Sequence, residues 1–194
     1  MALSIFYALH DNPSSGYKKH IESIAKIKIL KAGEIIKLPG ENKEAIYFVA
    51  RGLLETYTID SENRKRIIDF TWEKQACSST ISTYFSSPIE DFIQCVEDSV
   101  IIQFSVHSVM YIIANFNEGM LFYKKALKQY NKRNGTHLRL IQIHDIPLRV
   151  LHFQDAFKKI ITRLSTEHQA NYLFIGRSTF FDARKAILKK KLKL

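Results

Sequence analysis

Cysteine is nearly absent: Cys77 and Cys95 are the only two in 194 residues. A disulfide scaffold needs more, and an iron–sulfur cluster wants about four thiolate ligands, so both classes drop out. Two such residues in a chain this long read as reduced thiols of a cytoplasmic protein. No apolar run approaches the ~18 residues that a membrane-spanning helix requires. The opening Met1–His10 is apolar but has no basic flank and no clear cleavage site, so it reads as a helix rather than a signal peptide. Acidic residues are scarce at the other end. Ile146–Leu194 holds eleven Lys or Arg against three Asp or Glu, whereas Met1–Asp145 holds 18 against 16. The excess positive charge therefore sits in the last quarter of the chain, the distribution expected of a phosphate-backbone footprint. Some of it, at Lys189–Lys193, has the look of a solvated basic tail.

A convergent catalytic set is missing as well. The seven histidines are scattered, and no nucleophile stands beside a base, so no enzymatic activity, cofactor or metal is expected. His137 and His144 share a helical spacing, which by itself is a weak sign of a metal site.

What is present begins with a change of period. Residues 1–24 read as helical, broken at Ser14-Ser15-Gly16. From Ala25 the period becomes two: short strands at Ile27–Ile29 and Ile35-Ile36, a turn at Pro39-Gly40, and a β-rich run Ile46–Arg51 closed by Gly52. Leu53–Asp60 and Arg64–Trp72 flank a turn as a hairpin does, and Phe92–Val96 and Val100–Phe104 make two more strands. Many short strands at even spacing indicate a jelly roll.

After Ser105 the period is helical again: a short helix over Val106–Ala114, an interruption at Asn115–Gly119, then a long helix over Met120–Ile143. In the latter Met120, Tyr123, Leu127, Tyr130, Asn134, His137 and Ile141 alternate three and four apart, a coiled-coil-like seam. Such a seam serves either a second copy of the chain, with Asn134 setting register, or the chain's own roll. Gly135 is the place for a kink or break. Asp145 caps a further helix with Pro147 in its first turn, whose inward face is Val150, Leu151, Phe153, Phe157, Ile160 and Ile161. The expected class is thus α+β, with a jelly roll and long helix over residues 1–145 and an all-α domain over residues 146–194.

Leu164–Leu188 reads as two short helices around a tight turn. Ser165 caps the first, Ala170 permits a close crossing, and Leu173 and Ile175 face inward. Gly176 breaks that helix by entering left-handed backbone space, and Ser178 or Thr179 caps the second. Phe180, Ala183 and Ile187 form its buried stripe, leaving Arg177, Ser178, Phe181, Asp182, Arg184 and Lys185 outside. This is the outline of a helix-turn-helix, whose second helix enters the DNA major groove.

Together these parts resemble the Crp/Fnr family of bacterial transcription regulators. The resemblance is carried by Leu30–Glu34, Leu38-Pro39-Gly40, Ile46–Leu53 and Gln169–Leu173, and spans nearly the whole chain. It is closest to short members that stop after the recognition helix and lack a β wing. The resemblance implies a cytoplasmic homodimer through the long helix, each subunit offering one helix to a half-site of duplex DNA, with RNA polymerase as a further partner. Arg177 falls where family members place a base-contacting Arg, and Ser178 and Thr179 match the polar pair after it. Asp182 and Lys185 complete the expected DNA-facing set.

The chain departs from the family in two places. Members that bind a cyclic nucleotide carry a Gly-Glu pair and then an Arg that grips the phosphate. Gln75–Cys95 has no Gly, Arg or Lys, and Glu90 and Asp91 stand near where that Arg would fall. Anions are unfavourable beside a phosphate, so no cyclic nucleotide is expected and the ligand, if any, is unassigned. In the recognition helix, Phe181-Asp182 replace a small residue and an Arg, and Phe174 replaces the usual turn glycine. An alternative follows: a protein of the same fold that does not bind DNA and regulates through protein–protein contacts.

Overall fold

The computed structural model describes residues 1–41, 45–78 and 91–191. Its strands are β1 (Lys26–Leu30), β2 (Ile35–Lys37), β3 (Ala45–Arg51), β4 (Leu53–Ile59), β5 (Lys65–Trp72), β6 (Ala76–Ser78), β7 (Phe92–Cys95) and β8 (Ser99–Ser105). Helices α1 (Ala2–Tyr7) and α2 (Ser15–Ile24) precede them. Helices α3 (Val106–Asn115), α4 (Asn117–Ile141), α5 (Ile146–Ala156), α6 (Thr166–Tyr172) and α7 (Arg177–Lys191) follow. The strands build two four-stranded sheets, in the orders β1-β8-β3-β6 and β2-β7-β4-β5. The α+β class, with a roll first and helices after, is as the periodicities indicate. Strand β6 is too short to have left a periodic signal.

Compactness divides the chain into two units: Met1–Thr56 with Phe70–Asn131, and Tyr57–Asp69 with Lys132–Leu194. Asp145, where the sequence places the domain boundary, N-caps α5 inside the second unit, its carboxylate accepting the Leu148 N–H at 2.8 Å.

In the first unit β3 is apolar on both faces, and the reason is visible. Phe48 and Ala50 join Phe6, Tyr17, Ile21, Ile102, Phe104 and Ile112 in one cluster under α1 and α2. Tyr47 and Val49, on the opposite face as the pleat demands, join Leu54, Ile93, Cys95 and Ile101 in another. Gly52 sits at φ 105°, and a Cβ there would lie 2.1 Å from Ser99 Oγ. Only glycine makes this turn without strain. Cys77 and Cys95 are buried and are not joined in a disulfide. Burial pushes the Cys95 thiol up to about 11, so it stays protonated and inert.

Several expectations need correction. The break among the first residues precedes Ser14: Ser14 is the N-cap of α2, accepting from Tyr17 N–H, and Gly16 lies within the helix. Only Phe116 separates α3 from α4, and α4 runs unbroken through Gly135 to Ile141. His137 does not belong to an exposed seam. It is buried, with Arg133 and Leu140 on the same side of α4, while Tyr123, Leu127 and Leu138 are exposed. The apolar residue that continues the outer stripe is therefore Leu138. His144 lies beyond the end of α4 and is exposed, and no metal-holding group of three or more His, Cys, Asp or Glu occurs among the described residues.

One of the two anions that stand near where a phosphate-gripping Arg would fall lies within the described residues. Asp91 is buried and ion-paired with Lys37, itself buried, and the Lys37 Nζ also donates to the Asp91 carbonyl at 2.9 Å. Its charge is neutralised within the roll instead of facing an open site. Glu90 lies outside the described residues. No helix among the described residues is long and apolar enough to cross a membrane.

Candidate nucleic-acid interface

The second unit is organised around a turn between two helices. Ser165 caps α6 as expected, its hydroxyl accepting the His168 N–H at 3.1 Å. The reciprocal bond is made by histidine: Ser165 N–H donates to His168 Nδ1 at 3.3 Å, the place that Glu or Gln takes in the usual capping box. Gln169 Nε2 donates to the Leu164 carbonyl at 3.0 Å. Ala170, Tyr172 and Leu173 from α6 and its end, Phe180 and Ala183 from α7, and Val150, Phe153 and Phe157 from α5 and its end are all buried. The Tyr172 ring packs on Phe153 at 5.4 Å and on Phe157 at 5.1 Å. Burial, then the neighbouring Asp69 carboxylate, holds the Tyr172 phenol above its ordinary range.

The turn is made by an unexpected residue. Phe174, not Gly176, takes the left-handed backbone conformation, at φ 55°. For a non-glycine residue this costs on the order of 1 kcal/mol or more and persists only where surroundings enforce it. Three contacts do so. The Phe174 ring lies 5.2 Å from the His137 ring, close to perpendicular. The Arg66 guanidinium, held by Asp60 at 2.8 Å, lies 5.3 Å from the Phe174 centroid. Arg149 donates to the Leu173 carbonyl at 3.1 Å and to the Ile143 carbonyl at 2.7 Å. Neither Ser178 nor Thr179 caps α7. The Gly176 carbonyl accepts the Phe180 N–H at 3.0 Å, so Gly176 occupies the cap position, where glycine is tolerated.

Beneath the turn runs a buried ion pair. Arg133 of α4 grips Asp69 of β5 with Nε at 2.9 and 3.1 Å and a second nitrogen at 2.9 Å. Both are buried, and the fork geometry satisfies each charge with parallel bonds. His137 stands above, its ring 4.4 Å from Tyr172. Its Nδ1 has no hydrogen-bond partner among the described residues, and burial lowers its pKa to about 4. No local sequence window contains both partners, since Asp69 and Arg133 lie 64 positions apart.

The DNA-facing candidates are brought together on α7. Arg177, Ser178, Asp182 and Lys185 are exposed, as are Arg184, Lys189 and Lys190, and Thr179 is half-buried at the margin of the same face. Phe180, Ala183 and Ile187 face the other way as expected, the first two fully covered. The result is a rigidly seated helix of 15 residues with an outer face rich in cations.

The arrangement of two four-stranded sheets, a long helix and a helix-turn-helix is similar in fold to solved structures of transcription regulators. A mutant of CooA from Carboxydothermus hydrogenoformans superposes with TM-score 0.76 at 18% identity, covering 96% of this chain and 84% of that one. The c-di-GMP responsive global regulator CLP of Xanthomonas campestris gives 0.73 at 11%, covering 92% and 94%. A chain from Eubacterium rectale, described as a transcriptional regulator of the Crp/Fnr family, gives 0.70 at 16%, covering 91% and 84%. At these identities the likeness establishes the fold. No family model and no curated protein sequence matches the chain.

Proposed function

We propose that this protein is a Crp/Fnr-like transcription regulator that binds duplex DNA as a homodimer, with residues 146–194 as its DNA-reading domain. The observation that carries the reading is the seating of α7: its inner stripe is locked into the unit's core and its turn is pinned from three sides. Its outer face is left to Arg177, Ser178, Thr179, Asp182, Arg184 and Lys185. A helix held this way presents base-reading and phosphate-holding side chains without first having to order itself. The exposed stripe Tyr123, Leu127 and Leu138 of α4 supports pairing with a second copy, and Asn134 sets its register.

Arg177, at the N-terminal end of α7, has two parallel donors for guanine O6 and N7. Thr179 and Lys185 hold phosphates, which set register rather than sequence. Asp182 accepts from a cytosine amino group. The effector is not a cyclic nucleotide: Gln75–Cys95 contains no Arg or Lys, and the buried cation Lys37 is already committed to Asp91.

Selection of bound sequences from random duplex DNA, followed by titrations at two salt concentrations, tests this. Arg177→Ala should cost ~1–3 kcal/mol and relax preference at one base position. Lys185→Ala should weaken all sequences alike and lower the salt slope by about one phosphate. Asp182→Arg should change which sequence is preferred. Unchanged affinity and preference in Arg177→Ala would end the specific-regulator reading, and a monomer in sedimentation at micromolar concentration would end the homodimer.

A further inference from the structure

Two large apolar side chains stand among the cations on the outer face of α7. Phe181 is 40% exposed and Leu188 57%. Positions 177, 181, 184 and 188 recur at i, i+4, i+7 and i+11, a single helical stripe. Phe181 thus lies one turn from Arg177 and just before Arg184. It is not among the buried core residues, to which Phe180 and Ala183 belong. The Arg177 guanidinium carbon lies 5.8 Å from the Phe181 ring centroid, within the range where a cation and an aromatic ring attract. The ring therefore narrows the directions in which Arg177 can send its donor fork.

An apolar side chain on a groove-facing helix has one chemical counterpart there. The thymine 5-methyl is the apolar group on the major-groove edge of the bases. The remaining edge atoms are donors and acceptors, which a phenyl ring would dehydrate without replacing their hydrogen bonds. We propose that Phe181 is a specificity-determining residue: its ring packs on a thymine methyl beside the guanine read by Arg177. The inference rests on the DNA-binding reading above and deepens it. Four residues of helix rise about 6 Å, and base pairs step by about 3.4 Å, so the two contacts fall one or two base pairs apart. The preferred half-site then holds a guanine and a thymine within two steps. The substitution of Phe181 for a small residue becomes a gain of thymine reading rather than a loss of DNA binding.

The test uses the full chain and a duplex selected from a random pool, in which each thymine is replaced in turn by uracil. Uracil differs only in lacking the methyl. At one thymine per half-site the wild-type protein should bind about fourfold more weakly to the uracil duplex, one buried methyl's worth. Phe181→Ala should bind the thymine and uracil duplexes equally, and Phe181→Leu should keep part of the difference. Arg177→Ala should lose guanine preference yet still distinguish thymine from uracil. Melting followed by circular dichroism confirms that these exposed replacements leave the fold intact. Equal wild-type affinity for every uracil duplex overturns the proposal while leaving DNA binding standing. So does discrimination that survives in Phe181→Ala, or a Phe181→Ala protein whose DNA binding is untouched while its binding to another protein is lost. Failure of the wild-type protein to bind any duplex at low salt overturns the DNA reading itself, and this contact with it.

Discussion

Acidification should weaken the second unit through one histidine. His137 is 4% exposed, its ring faces Tyr172 at 4.4 Å and Phe174 at 5.2 Å, and burial lowers its pKa to about 4 from an ordinary 6.5. The native state thus holds fewer protons than the unfolded state anywhere between these values. Stability is fully present above the unfolded value and is lost as pH falls from about 6.5 toward 4. At 1.36 kcal/mol per unit, this one group removes about 1 kcal/mol by pH 6, about 2 by pH 5 and about 3 by pH 4. The measurement is urea unfolding of wild type and His137→Leu at several pH values between 7.5 and 4, followed by circular dichroism. Subtracting the two curves cancels the other titrating groups that both proteins share. The variant should lie close to wild type at pH 7.5, since a leucine replaces a neutral imidazole of similar size, and should gain on it steadily below pH 6.5. A difference that stays constant across the range would refute the reasoning, because it would mean that His137 is protonated as easily folded as unfolded.

Asp69→Ala should lower stability by about 3–5 kcal/mol, since it removes the carboxylate that the buried Arg133 guanidinium grips. The double variant Asp69→Leu with Arg133→Met should recover much of that loss in the same unfolding assay. Gly135→Ala should raise the melting temperature: α4 is continuous there, an added Cβ meets nothing within 4 Å, and helix propensity favours alanine by ~1 kcal/mol. Gly52→Ala should have the opposite effect, of about 2 kcal/mol or more, because the residue sits at φ 105° with Ser99 in the way. Thermal melts of the two glycine variants side by side check both signs.

Much of the architecture is written locally. Strand alternation, the Ser165 cap, the Asp145 cap with Pro147 behind it, and the Phe180–Ala183 stripe depend on residues within a turn or two of one another. Periodicity therefore shows them without any tertiary knowledge. The outward set on α7 follows from the same logic, because a helix whose inner stripe is known has its outer face determined. Where local reasoning failed, long-range contacts had overruled it. Glycine is the local choice for left-handed backbone, which points to Gly176. The chain uses Phe174 because His137 and Arg66, 37 and 108 positions earlier in the sequence, hold its ring in place. A three-and-four spacing does not distinguish which side of α4 meets the rest of the unit, so by spacing alone His137 falls in a seam that Leu138 continues. Asp91 carries a negative charge in any sequence-based reading, and only its pairing with Lys37, 54 positions away, shows that charge to be neutralised. Short-range periodicity determined the elements and their faces. The tertiary structure decided which buried charges and rings meet, because such pairings join residues that no sequence window contains.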